Sequence, residues 1–510
     1  MTEWFIFFLI VQVVHFAGTW KLYIKAGRKS WEALIPVYNA LVLMKIINRP
    51  QWWVILLFIP VINLLMFPVI WVETIRSFGK NSTTDSFLAV LSLGFYTYYI
   101  NYAGNEAYIE DRSLKPKTEL GEWVSSIVFA IVAATLVHTY IMQPYTIPTS
   151  SLEKTLLVGD FLFVSKFHYG ARAPMTTIAA PMVHDSLPLV TAKSYLKKPQ
   201  LPYFRIPGFQ EIKRNEIVVF SWPVDTVRWF FDTSKIHIDK PIDKKSNYVK
   251  RCVGIPGDSL EIRDGYIFIN GKQTILPDRA KPQYYHHITT SEGFSPLSLT
   301  KRYGSTDRIG GSNGNYTANL TDENASLLRK NPFVKGVVKA LATKGSYQKQ
   351  VFPHSELYPW TGDDYGPIYI PEEGKTVALD LKSIPFYKRI IEEYEGNNLT
   401  INGDEFFING KLATSYTFKQ NYYWMMGDNR HNSEDARYWG YVPFDHVVGK
   451  PVFIWFSWNS DGKGIDKVRW ERLFTTVGGS GKAVSYFFPF LGLMLILYGI
   501  NWYRQRKKAA

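Results

Sequence analysis

At 510 residues, with 46% hydrophobic and 16% aromatic content, the chain is long enough to bury a large core, and a membrane part beside a globular part is its natural division. The formal net charge of +14 comes from 58 Lys and Arg spread along the chain without the basic and aromatic interleaving of a nucleic-acid module, which argues against nucleic acid as a partner. Cys252 is the only cysteine, so no intramolecular disulfide can form and an outward-facing domain must be held by packing alone.

Five segments approach the roughly 20 apolar residues that a membrane-crossing helix needs: Trp4 to Trp20, Trp52 to Val72, Phe87 to Tyr102, Trp123 to Tyr140 and Val484 to Tyr503. The N-terminus carries Glu3 rather than a cationic stretch, so the first run reads as a retained anchor, not a cleaved signal. Lys21 to Lys29, the loop with Arg112, Lys115 and Lys117, and the tail Arg504 to Lys508 read as cytoplasmic, and five crossings with the N-terminus outside satisfy all three. Arg76 and Lys80 fit that scheme poorly. Pro36 to Ile47 reads as a short interfacial or re-entrant helix. Residues 1–115 read as a multi-pass membrane module, and 116–144 as a transmembrane anchor that precedes the next domain.

Beyond Tyr145 the pattern changes to short β-rich runs separated by Gly, Asn and Asp turns: Phe161 to Ser165, Ile217 to Ser221, Tyr248 to Val253, Leu260 to Ile269 and Val452 to Ser457. Leu260-Glu261-Ile262 through Asn270-Gly271-Lys272 is echoed by Leu399-Thr400-Ile401 through Asn409-Gly410-Lys411, and both read as hairpins ending in an Asn-Gly turn. The two copies bracket a polar stretch. The expected fold is therefore mixed: a multi-pass α-helical membrane region plus a mainly β extracytoplasmic catalytic domain (145–272 and 399–475) with an inserted cap (273–398), then a C-terminal membrane helix (484–503).

Ile147-Pro148-Thr149-Ser150-Ser151-Leu152 comes directly after the Trp123 to Tyr140 run, and Tyr248-Val249-Lys250-Arg251 lies further on. A hydroxyl at the mouth of a membrane helix, with a lysine to deprotonate it, points to peptide hydrolysis at the bilayer surface. Serine is a poor nucleophile at neutral pH and needs a base within reach, and lysine serves only when neutral. Burial lowers a lysine pKa and a paired carboxylate opposes this, so such a dyad requires a site without an adjacent acid. On a strand, Lys250 shares a face with Tyr248 and Cys252 and is flanked by Val249, which suits burial of its stem.

Four segments match, in order, the motifs of one family: the chain resembles the type I signal peptidases, membrane-bound Ser/Lys endopeptidases that remove signal peptides from exported proteins. They are Ile147 to Asp160, Arg214-Asn215-Glu216-Ile217-Val218-Val219-Phe220, Tyr248 to Asp258, and Gly427-Asp428-Asn429-Arg430-His431-Asn432-Ser433-Glu434-Asp435-Ala436-Arg437-Tyr438-Trp439-Gly440. The resemblance implies Ser151 as nucleophile and Lys250 as general base, with the Thr149 hydroxyl and the Ser151 N–H as the oxyanion hole. It further implies that Ser433 orients the lysine amine, that Asp435 and Arg437 form a supporting ion pair, and that Gly427, Asp428 and Asn429 form the turn behind the dyad. Ile35 to Asn39 and Ile75 to Lys80 resemble a small module of unknown role fused to some bacterial signal peptidases.

Two departures stand out. Lys154 replaces the family's proline in the nucleophile box, which loosens a local φ restraint, and Asn215-Glu216 replaces Gly-Asp, which bears on turn geometry. Shallow pockets for small side chains are expected around Tyr145, Ile147 and Val249, with the substrate extended along an edge strand. Ser150 is a rival nucleophile, while Lys166 and His168 read as surface residues at a strand end. No histidine supports a Ser-His-Asp triad, and Asp428, Asp435 and His431 lack a second His or Cys at metal-ligand spacing, so neither metal nor other cofactor is expected. Expected partners are exported preproteins, the lipid bilayer and the secretion translocon, at a bacterial cytoplasmic membrane with the catalytic domain facing the periplasm or exterior. Two alternatives remain: a self-cleaving Ser/Lys repressor, against which the apolar spans argue, and an inactive membrane scaffold on the same fold.

Overall fold

The computed structural model describes residues 2–509 apart from 117, 188, 189, 191, 229–231, 233 and 235, and divides into two compact units. Lys117 and the side chain of Lys508, both counted among the topology charges, lie outside the described residues.

The first unit holds residues 1–141 and 172–205. Its helices Thr2–Lys25 and Glu119–Leu136, the latter prolonged by a π turn to Ile141, are long and apolar enough to cross a membrane, with mean hydropathy of 1.6 and 1.9 over their apolar windows. Phe5, Phe7, Ile10 and Val13 point outward from the first. The segment expected to span from Trp52 to Val72 is instead broken into Trp53–Leu56 and Ile62–Ser77. Pro60 disfavours helix in the residue before it, and Val61 sits at φ 69°. The segment from Phe87 to Tyr102 divides likewise into Thr83–Leu91 and Tyr96–Tyr102, because Leu93 and Gly94 turn left-handed at φ 50° and 86°. The short helix after Pro36 runs Tyr38–Ile46. These pieces pack around Tyr23, Met44, Ile47, Ile75 and Phe78. Arg76 and Lys80 are both paired: Arg76 lies 3.8 Å from buried Glu73, which also binds Arg49 (2.9 Å) and Arg112 (2.5 Å), and Lys80 lies 2.7 Å from Glu106.

The second unit, 142–171 and 206–510, is mainly β. Its principal sheet is antiparallel, in the order Met142–Thr146, Asp160–Ser165, Val447–Ser457, Ile217–Ser221, Asn247–Gly254, Tyr422–Met426, Val442–Pro443. The long strand Val447–Ser457 is shared: Lys450 to Ser457 pair with Asp160–Ser165, while Val447 and Gly449 pair with Ile217–Ser221. Burial matches this layout: Ile217–Ser221 and Tyr422–Met426 are buried at every residue, so both read as unbroken apolar runs. One core gathers around Trp424, Phe220 and Val253, and a smaller one around Ile147, Leu152, Leu162 and Val219.

The internal echo folds as two like three-strand meanders, Ser259–Arg263, Tyr266–Ile269, Lys272–Gln273 and Leu399–Asn402, Glu405–Ile408, Lys411–Leu412. In each, the Asn-Gly pair makes the second turn with both residues at positive φ (51° and 78°; 53° and 79°), as a tight I′ turn requires. Each asparagine carbonyl also accepts the same backbone N–H, from Ser259 and from Asn398. Between them a four-stranded sheet, Val334–Lys339, Tyr284–Thr290, Asn315–Leu320, Gly310–Ser312, has its own small core of Ile288, Leu299, Leu320 and Leu328. Beyond it Phe352, Tyr365, Ile384 and Tyr387 return to the main core.

Candidate active site

The strand Met142–Thr146 ends the principal sheet and, among the described residues, pairs on one side only. Directly after it, Ile147 donates its N–H to Asp160 O and accepts from Gly159 N–H, both at 2.9 Å, so residues 148–158 form a loop pinned at its base. Within the loop Ser150–Leu152 make one 3-10 turn, with Thr149 extended at its N-cap (φ −131°, ψ 156°). The Thr149 hydroxyl does not cap that turn. Leu152 and Leu156 are buried in the smaller core beside Ile147 and Val249, and this anchorage fixes Ser151, itself 8% exposed.

Lys250 lies on Asn247–Gly254, against which the Ser151 turn packs, and is opposite Val218 on the neighbouring strand. It is 4% exposed, and burial pulls its pKa down to about 8 against the upward pull of Asp435 and Glu434. Asp435 is a nearby acid of the kind that a neutral lysine should lack. It is present but taken: Arg437 Nε and Nη2 each donate to it at 2.9 Å, and Gly427 N–H donates at 3.0 Å. Burial alone would raise the Asp435 pKa, but Arg437 holds it below the ordinary carboxylate range. Among the described residues Lys250 makes no salt bridge; its Nζ lies 5.7 Å from the Tyr248 ring centre.

The turn after Met426 closes the site. Asn429 N–H donates to Ser151 O at 3.0 Å, and a Cβ on Gly427 would come within 2.6 Å of that same oxygen and closer still to Ser433 Oγ. Ser433 Oγ is buried without a hydrogen-bond partner among the described residues, so no bond joins it to Lys250 here. None joins Lys250 to Ser151 either. Asp428 forms a buried pair with Arg251 and accepts from Thr155 Oγ1 at 2.6 Å.

Tyr145, Ile147 and Val249 meet at the edge of the smaller core, Ile147 buried and the other two partly so. Lys166 is not a surface residue: it is 8% exposed, its Nζ 5.9 Å from the Tyr145 ring centre. His168 is half-buried, bonded to Ser165 Oγ and packed on Phe167 and Phe209. Asp428, Asp435 and His431 do not converge, since His431 bridges Asp363 and the Tyr285 N–H. Lys154 has φ 69°, which a proline ring locked near −65° cannot adopt, so its replacement of proline does more than loosen the loop. Asn215, at φ 67°, keeps the left-handed turn that a glycine would supply. Asn319, which heads an Asn-Leu-Thr triplet, is fully buried and bonded at both ends of its amide. Sequence reasoning missed Arg251, Asn432 and Asp307 as parts of the site. Arg251 adjoins the lysine and faces an acid in the next box, whereas Asp307 lies in the inserted segment with no motif around it.

Comparison with known proteins gives two family matches. The model described as "Signal peptidase, peptidase S26" matches residues 120–314 and 365–458, more than half of the chain. A family of unknown function, DUF5684, matches residues 31–111. Similar curated proteins include signal peptidase I of Helicobacter pylori (27% identical over 377 residues, 71% of this chain and 93% of that protein). Signal peptidase I of Buchnera aphidicola subsp. Baizongia pistaciae is 24% identical over 67% of this chain and 79% of its own. That of Rickettsia massiliae is 24% identical over 70% and 93%.

Proposed function

Since this chain belongs to the type I signal peptidases, peptidase family S26, we propose that it is a membrane-bound serine endopeptidase that removes N-terminal signal peptides from exported preproteins with a Ser151–Lys250 dyad. The observation that carries this reading is the buried Lys250, its pKa brought down to about 8 on a strand against the Ser151 turn, with the neighbouring Asp435 occupied by Arg437. A neutral lysine then accepts the Ser151 proton as the hydroxyl attacks the scissile carbonyl, and later returns it to the departing amine. The Thr149 hydroxyl and the Ser151 N–H face the developing oxyanion, and Ser433 steadies the amine. Asp435, Arg437, Gly427, Asp428 and Asn429 hold the frame.

Substrate enters as an extended segment added to the edge strand Met142–Thr146, with small side chains before the scissile bond in pockets bordered by Tyr145, Ile147 and Val249. Enlarging or shrinking these three residues must change the side-chain preference; an unchanged preference removes the pocket assignment.

Three crossings, Glu3–Lys25, Glu119–Ile141 and the C-terminal helix Phe487–Ala509, satisfy all three basic clusters with the N-terminus and catalytic domain outside the cytoplasm. The broken helices between the first two then stay on the cytoplasmic side, where Arg76 and Lys80 no longer conflict with the charge rule. Preproteins, the bilayer and the secretion translocon are the partners of this reading, and within the 273–398 insert the separately cored sheet of residues 284–339 is the part that serves as a cap.

The test is cleavage of a preprotein in detergent by wild type, Ser151→Ala and Lys250→Met. Loss of cleavage in both variants is expected; equal cleavage by all three overturns the mechanism, and no cleavage by any of them, wild type included, leaves an inactive scaffold.

A further inference from the structure

Two asparagines of the loop after Met426 reach back to the nucleophile segment. Asn429 donates its N–H to Ser151 O at 3.0 Å and its Nδ2 to Ser150 O at 3.4 Å, and Asn432 Nδ2 donates to Ser150 Oγ at 3.2 Å. The same NH2 groups are also held by one carboxylate. Asp307 accepts from Asn429 Nδ2 at 3.2 and 3.0 Å and from Asn432 Nδ2 at 3.1 Å.

Asp307 is itself held firmly. Its N–H donates to Asn319 Oδ1 at 2.9 Å, Asn319 is fully buried, and Tyr285 OH donates to the carboxylate at 3.2 Å. Among the described residues it makes no salt bridge, so its charge is spent on neutral donors, the amides of Asn429 and Asn432 and the Tyr285 hydroxyl. A carboxylate has acceptors only. It therefore forces both asparagines to present their NH2 groups, and charge-assisted bonds of this kind are about twice as strong as neutral ones.

We propose that Asp307, contributed by the inserted segment, is a positioning residue for the peptidase reaction: acting through Asn429 and Asn432, it sets the orientation of the Ser150–Ser151 backbone and hence of the nucleophile. The proposal rests on the Ser151–Lys250 reading above. It gives part of the insert a catalytic consequence although none of it touches the reacting atoms. An Asp307→Asn substitution is not neutral here: its remaining oxygen can still accept from both asparagines, but the charge is lost and the new NH2 faces the NH2 of Asn429 where Oδ2 accepted before.

The test uses the full chain in detergent and compares Asp307→Ala, Asp307→Asn, Asn429→Ala and the Asp307→Ala/Asn429→Ala double variant, with Ser151→Ala alongside. Misplacement of a nucleophile by about 1 Å costs on the order of 100-fold in rate, so Asp307→Ala should lower kcat by roughly 30- to 100-fold. KM and the melting temperature should stay close to wild type, the pH at half-maximal rate should be unmoved, and Asp307→Asn should fall between. Because both positions act through one link, the double variant should lose no more than about threefold beyond the worse single variant. Wild-type kcat in Asp307→Ala while Ser151→Ala is inactive overturns the proposal alone. So do multiplicative losses in the double variant, or a kcat loss matched by a fall in melting temperature. Activity retained by Ser151→Ala brings down the functional reading and this proposal with it.

Discussion

Arg251 and Asp428 face each other as a buried two-pronged pair, Nε to Oδ1 at 2.8 Å and Nη2 to Oδ2 at 2.5 Å. The residue after the lysine is thereby tied to the residue after Gly427, and Thr155 of the nucleophile loop joins the same carboxylate at 2.6 Å. Removing one partner strands the other. Arg251→Met should cost about 3–5 kcal/mol of stability, read as a lowered melting temperature in detergent, and adding Asp428→Leu should recover much of the loss. Burial would raise the Asp428 pKa, but Arg251 holds it below the ordinary value, so its contribution is present above that value and fades as pH falls through the acid range.

Lys250 gives two pH signatures, one in rate and one in stability. Cleavage should rise with pH and reach half its plateau near pH 8, where the amine becomes neutral. Stability should also rise between about pH 8 and 10.5, because there the unfolded chain binds the proton that the folded chain has released. Lys250→Met should therefore stabilise the protein below pH 8 by up to about 3 kcal/mol, at about 1.4 kcal/mol per pKa unit, while abolishing cleavage. Equal stability of the two proteins at pH 7 would contradict the burial argument.

Gly427 leaves no room for a side chain. In Gly427→Ala the new methyl meets the Ser151 carbonyl oxygen and Ser433 Oγ. The Ser151 backbone must shift, and if Ser151 is the nucleophile as proposed, a loss of about 100-fold in kcat is expected from displacement on the order of 1 Å.

Thr149→Ala should lower kcat by about 100- to 1,000-fold, the usual effect of one lost oxyanion donor, with the melting temperature unchanged. Thr149→Ser keeps the hydroxyl and should keep most of the rate.

Lys154→Pro restores the residue common in the family and should nevertheless damage this protein, since φ 69° is closed to proline. Lys154→Gly should be tolerated. Comparable melting temperatures for the two variants would show that the loop adopts a different backbone.

The mainly β unit was more legible in sequence than the helical one, for a physical reason. Strand runs such as Ile217 to Ser221 are buried on both faces, so apolar continuity alone marks them, and the Asn-Gly pairs fix their turns through the positive φ those residues tolerate. In the N-terminal segment the apolar count is equally high, but whether Trp52 to Val72 runs as one helix depends on Pro60 and on Val61 taking a left-handed φ, which hydropathy does not register. The burial of Lys166 beside Tyr145 was hidden because a lysine at a strand end resembles any other surface charge. Asp307 was illegible because its meaning lies in partners more than a hundred residues away, Asn429 and Asn432.

The strand Val447–Ser457 unites the hairpin flanking Ser151 with the strands that carry Lys250. It is also among the last pieces of this domain to leave the ribosome. Until it is threaded between its two neighbours, the sheet that joins the Ser151 hairpin to the Lys250 strand stays open, so the backbone frame of the proposed dyad is completed late in synthesis.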